Sequence, residues 1–239
     1  MSPVFTALSL ALRDFWQPRI LALALVPPLA ALAMWIGFLW IFADDWARIV
    51  TSWIASTSWL GWVRDWGLSS IFVWASGLGA AALMLPVVLI TAILVTDLVA
   101  MPVIVPFVGR HHYRQLEQRR GGTVAGSIWN SAIAIVMFVL LWIISLPLWF
   151  TGVGALVLPP LLAAFFNQRM FRYDALAEHA SAEEFARVVS TSRDDLFLLG
   201  LLLSLLLYVP VINLAVPVLS ALAFTHFCLA RLAQLRAAA

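Results

Sequence analysis

The sequence predicts an all-α integral membrane protein, with two long transmembrane helices, two re-entrant helical hairpins and interfacial helices in a single membrane domain spanning 1–239. Three observations lead there. Hydrophobic residues make up 64% of the chain and charged ones 11%, with a mean hydropathy of +1.00. A soluble domain has about 45–50% and about 25%. The stretches 20–42, 121–168 and 196–230 carry no charge, and 67–109 carries one, Asp97. All 14 basic residues are arginines, and most lie between those stretches. A chain of this size cannot bury so much apolar surface within itself. A soluble enzyme, a nucleic-acid-binding module and a disordered chain are excluded, and the lipid bilayer is the first expected partner.

The elements follow in order. In 1–19, Ser2, Thr6, Ser9, Arg13 and Gln17 recur every three or four residues and so share one face of a helix. Val4, Phe5, Leu8, Leu12, Phe15 and Trp16 cover the rest, a pattern suited to an interfacial helix in the headgroup region. Residues 20–42 form span 1, about 34 Å of helix against a hydrocarbon core of about 30 Å. Pro27 and Pro28 inside it predict a kink. This apolar run is too long for a signal-peptide h-region, and no cleavable signal peptide is expected.

Residues 44–66 are polar and carry Trp46, Trp53, Trp59, Trp62 and Trp66. Tryptophan favours the membrane–water boundary, so this segment reads as an interfacial connector. Residues 67–109 form a long span 2, with Asp97 at or beyond its far interface and small residues from Ser76 to Ala81 that let another helix approach closely. A basic loop, 110–120, follows. Ser181 and Glu184 fit a capping box within the charged segment 169–195.

The remaining uncharged runs are short for paired spans. Two crossings need about 40 residues plus a turn. Pro210, Asn213 and Pro217 divide 196–230 into arms of about 13 residues, each about 20 Å long. The second arm of 121–168, beginning at Gly154, is also short. Both runs are therefore expected to dip into the membrane and return. Non-helical backbone at that depth must be shielded by protein or line water, as at sites of ion or solute passage. If both termini and the loops 110–120 and 169–195 are cytosolic, 12 arginines lie inside and two, Arg48 and Arg64, outside. The positive-inside rule selects that orientation.

Several short motifs resemble one family. VPVINLAVP, with Pro210, Asn213 and Pro217, is similar to a proline–Asn–proline signature in the last hairpin of CysZ-type sulfate permeases and the wider etoposide-induced protein 2.4 group. Arg193 to Gly200, FRYD from Phe171 to Asp174, and Leu98 to Pro102 resemble other stretches of that family. The resemblance implies two long helices with two half-dipping hairpins, a bacterial inner-membrane location and transport of a small inorganic oxyanion such as sulfate. The family's sulfate motif reads Pro-Gly-Leu-Arg, with a second proline nine positions after the first. Here Pro18 and Pro27 keep the spacing, while the motif itself reads Pro18-Arg19-Ile20-Leu21.

Pro18, Arg19 and Ile20 are thus the candidate substrate-binding residues. First-turn amides and a guanidinium can together hold an anion, although Arg19 also serves as a positive-inside anchor. Asp97 and Asn213 are candidate pore or hairpin residues, with capping or pairing as the structural alternative for Asp97 and backbone satisfaction for Asn213. His111 and His112 point to different sides of a helix and read as loop residues. His226 reads as a packing residue bonded to a neighbour, and Cys228 as apolar packing. No metalloprotease, nucleophile-elbow or phosphate-loop motif is present, and neither enzymatic activity nor a cofactor is expected. A homo-oligomer is expected. The competing function is a non-transporting scaffold that shapes the bilayer.

Overall fold

The computed structural model describes residues 2–56, 66, 71, 99–149 and 151–238. Among them every regular element is helical. In chain order these are α1 (Pro3–Phe15), α2 (Pro18–Ile41), α3 (Ala43–Ser56), α4 (99–112), α5 (Val124–Trp149), α6 (Val153–Ala177), α7 (Ala182–Thr191), α8 (Arg193–Leu205), a 3-10 turn (Leu206–Tyr208), α9 (Pro210–Asn213) and α10 (Val216–Ala237). The chain divides into two compact units, Met1–Leu25 with Thr96–Ala239, and Val26–Val95. The boundary falls within α2.

In the first unit α10 is the central element. Every residue from Val216 to Leu229 is buried. Helices α1, α6, α7 and α8 pack on it, and α5 packs on α6. α1 explains how a short helix docks there. Val4, Ala7, Ala11 and Asp14 are its buried residues, at spacings of three, four and three. Small side chains on that stripe allow close approach. The large apolar side chains Phe5, Leu12 and Trp16 remain exposed on α1. Exposed apolar residues also cover α5, among them Ile128, Ile135, Ile143 and Ile144. In water such a surface would be a liability; against lipid tails it is the expected exterior.

Among the described residues, three helices are long and apolar enough to cross a membrane: Pro18–Ile41, Ala125–Leu148 and Val216–Ala237. The first is the expected span 1. Pro27 and Pro28 lie inside this helix, as expected. Most of the expected span 2, including Asp97, lies outside the described residues, as do Trp59 and Trp62. The other two fall in the runs assigned to hairpins, where the helix lengths differ from the expected arms. α8 has the expected 13 residues, but α10 has 22 and α6 has 25. Both helices continue past the apolar limit because their charged ends find protein partners. Arg231 and Arg236 of α10 pair with Asp195 and Glu184. Asp174 near the end of α6 accepts a hydrogen bond of 2.5 Å from Ser127.

The capping box forms as expected, with the Ser181 hydroxyl accepting from the Glu184 amide and the Glu184 carboxylate accepting from the Ser181 amide. In the second unit, Trp46 and Trp53 lie exposed on α3, where Asp45 of the first turn pairs with Arg48.

Candidate functional site

The loop after α4 builds a basic cavity of about 470 Å³ in the first unit. Gly109, Arg110, Tyr113, Arg114, Gln118 and His179 line it, and no carboxylate does. Arg114 donates from Nε to the Arg110 carbonyl at 2.7 Å, which fixes the start of its side chain against the helix end. Neighbouring arginines are paired elsewhere: Arg119 with Glu117 and Glu184, Arg236 with Glu184, and Arg231 with Asp195. Arg110 and Arg114 form no ion pair among the described residues. Two uncompensated guanidiniums facing a cavity favour an anion, because each supplies several charge-assisted donors.

Buried His179 lines the same cavity, with its ring against Gly109. Burial pushes its pKa below the usual histidine value, and the charge of Arg236 adds to that against the opposing effect of Glu178. Its ring is therefore neutral at pH 7.

Tyr113 joins this cavity to a second, smaller one of about 180 Å³. Its hydroxyl donates to the His226 carbonyl at 3.1 Å. Burial, with the nearby charge of Asp14, pushes the phenol pKa up to about 12 and keeps it a donor.

Behind Tyr113 lies a polar cluster in which Asp14 and His226 are buried and His112 reaches the surface. The Asp14 side chain is 3% exposed, and its Oδ2 meets Nε2 of His112 at 2.9 Å and Nε2 of His226 at 3.0 Å. Its Oδ1 accepts from the Gln17 amide at 3.4 Å. The three ligand-type atoms lie within 4.8 Å of one another, and among the described residues this is the one group that could hold a metal ion. His111 points away, its Nδ1 lying 2.8 Å from the Phe107 carbonyl.

The sequence-derived candidates are placed as follows. Pro18 opens α2, and Leu21 makes the first intrahelical bond, to the Gln17 carbonyl at 2.8 Å. The Arg19 and Ile20 amides thus belong to the first turn, whose donors lack helical acceptors. The Arg19 side chain is exposed, without an ion pair among the described residues, while Ile20 is fully buried in the core. None of the three lines either cavity. Asn213 ends α9 half-buried, and its backbone N–H donates to the Val209 carbonyl. Its side chain forms no hydrogen bond among the described residues. His226 is hydrogen-bonded, as expected. His112 corrects its reading as a loop residue: it closes α4 and is drawn inward by Asp14. Asp14 was missed, although a charged residue in register with Val4, Ala7 and Ala11 is a legible sign of a buried partner.

Residues 7–217 match the family described as sulfate transporter CysZ/etoposide-induced protein 2.4. No curated protein and no solved structure matches the chain.

Proposed function

The chain belongs to the sulfate transporter CysZ/etoposide-induced protein 2.4 family, and from that membership we propose that it is a bacterial inner-membrane permease for a small inorganic oxyanion, with sulfate the first candidate. The carrying observation is the cavity lined by Arg110 and Arg114 with no carboxylate. A dianion loses much hydration near a bilayer, and charge-assisted donors offset that cost. Arg19 and the first-turn amides of α2 supply a second, separate attraction for an anion.

The orientation follows from the arginine asymmetry, with both termini and the loop 110–120 cytosolic, which puts the cavity on the cytosolic side. The re-entrant reading rests on uncharged length rather than helix length. The uncharged part of α8 runs from 196 to 205, and that of α10 from 216 to 230. These correspond to about 15 Å and about 22 Å, short of a core of about 30 Å. The charged ends then project into the cytosol, where Arg231 and Arg236 pair.

Sulfate uptake into proteoliposomes carrying only this protein tests the reading. Wild type is expected to take up sulfate, and Arg110→Gln/Arg114→Gln to lose most of the uptake while remaining folded. Absence of uptake of any oxyanion by wild type would favour the scaffold reading, for which the exposed Trp46 and Trp53 on α3 are the supporting observation.

A further inference from the structure

We propose that Asp14, His112 and His226 form a binding site for a transition-metal dication of the zinc class, tying α1 to α4 and α10. This site is separate from the basic cavity and does not depend on oxyanion transport.

Geometry is the first argument. Two imidazole nitrogens converge on one carboxylate oxygen at 2.9 and 3.0 Å. Around a tetrahedral zinc-class ion, with bonds of about 2.0–2.1 Å, neighbouring ligand atoms sit about 3.3 Å apart. To admit an ion the two oxygen–nitrogen separations widen by a few tenths of an ångström, and the two imidazole nitrogens, within 4.8 Å of each other, come to the same spacing. Two nitrogens and one oxygen also form a ligand set suited to such metals, leaving one coordination position for solvent.

Charge is the second. Asp14 is almost fully buried and has no arginine partner among the described residues, while His226 is completely buried. A buried carboxylate without a guanidinium partner is costly. A dication offsets it.

Two outer contacts support the ligands. Gln17 on Asp14 Oδ1 and Tyr113 on the His226 carbonyl orient the ligands from outside. The cavity of about 180 Å³ touches both Tyr113 and His226, and His112 remains 28% exposed, which gives an ion a way in.

Cobalt(II) tests the site, because its visible d–d absorption reports tetrahedral coordination. The full chain, purified in detergent and stripped with a chelator, is titrated with Co²⁺ and then with Zn²⁺. We expect one Co²⁺ per chain, displaced by Zn²⁺. Asp14→Asn and His112→Gln should each weaken binding at least about tenfold. His112→Cys should retain binding and add a thiolate-to-cobalt charge-transfer band, which separates a lost ligand from a lost fold. His111→Gln should bind like wild type. No Co²⁺ uptake by folded wild type, or uptake unchanged in His112→Gln, would overturn the proposal and leave the cluster as a hydrogen-bonded clasp.

Discussion

Arg236 grips Glu184 with two hydrogen bonds of 2.9 Å, Nε to Oε1 and NH2 to Oε2. The same carboxylate caps α7 through the Ser181 amide. Arg236 also donates to the Glu117 and His179 carbonyls, at 2.9 and 2.7 Å. One guanidinium thus fastens the end of α10 to the loop 110–120 and to the start of α7.

That fork makes stability pH-dependent. The hydrogen bond from Arg236 chiefly holds the Glu184 carboxyl down at about 2, against an ordinary value of 4.5, with the Ser181 amide and Arg119 helping. A depressed folded value means the contribution is fully present above about pH 4.5 and is lost as pH falls from there towards about 2. Thermal unfolding of the detergent-solubilised protein should show that loss, and Glu184→Gln should flatten it. Arg236→Gln should cost about 1.5–3 kcal/mol at neutral pH. An unchanged melting temperature in that variant would contradict the clasp.

Gly200 marks a close approach of α8 to α6. A Cβ there would sit 2.8 Å from the Ala164 carbonyl oxygen and 3.3 Å from its Cα, both backbone atoms that cannot swing away. Gly200→Ala should destabilise the protein by about 1–3 kcal/mol, typical of overpacking. Melting curves of the purified variant measure this. A stabilising effect would show that the helices separate readily.

Arg19 and Arg114 offer separable contributions to anion binding. Arg19→Gln removes an exposed guanidinium beside first-turn amides, and Arg114→Gln removes one that lines the cavity. Each should weaken sulfate binding by about 1.5–3 kcal/mol, the range for a hydrogen bond to a charged group. Equilibrium binding to the purified variants distinguishes the sites. If Arg19→Gln binds like wild type, Arg19 acts as a membrane anchor alone.

The lone thiol simplifies a test of topology. Cys228 is fully buried in α10 and should resist an impermeant maleimide in the folded protein. Gln115→Cys should then label from the cytosolic face, and Leu214→Cys should stay unlabelled from outside intact cells. External labelling at 115 would reverse the orientation, and external labelling at 214 would make the last hairpin a full crossing.

By itself the sequence determined membrane residence, the helical class, the long apolar helix α2, the α7 capping box and the family. These are readable because each rests on a local property: the length of an uncharged run, a three-residue cap spacing or a short motif. The arm lengths were only partly legible. Charge marks where a helix leaves the apolar layer, whereas its end is set by whether Arg231 and Arg236 find partners. The two clusters of polar side chains were decided by tertiary structure. His112 lies 98 residues and His226 lies 212 residues from Asp14, so no window along the chain contains their meeting. Packing the small-residue face of α1 onto α10 brings Asp14 and His226 together. Likewise Arg110 and Arg114 look like ordinary loop charges until the fold pairs Arg119, Arg231 and Arg236 elsewhere and leaves these two facing an open cavity.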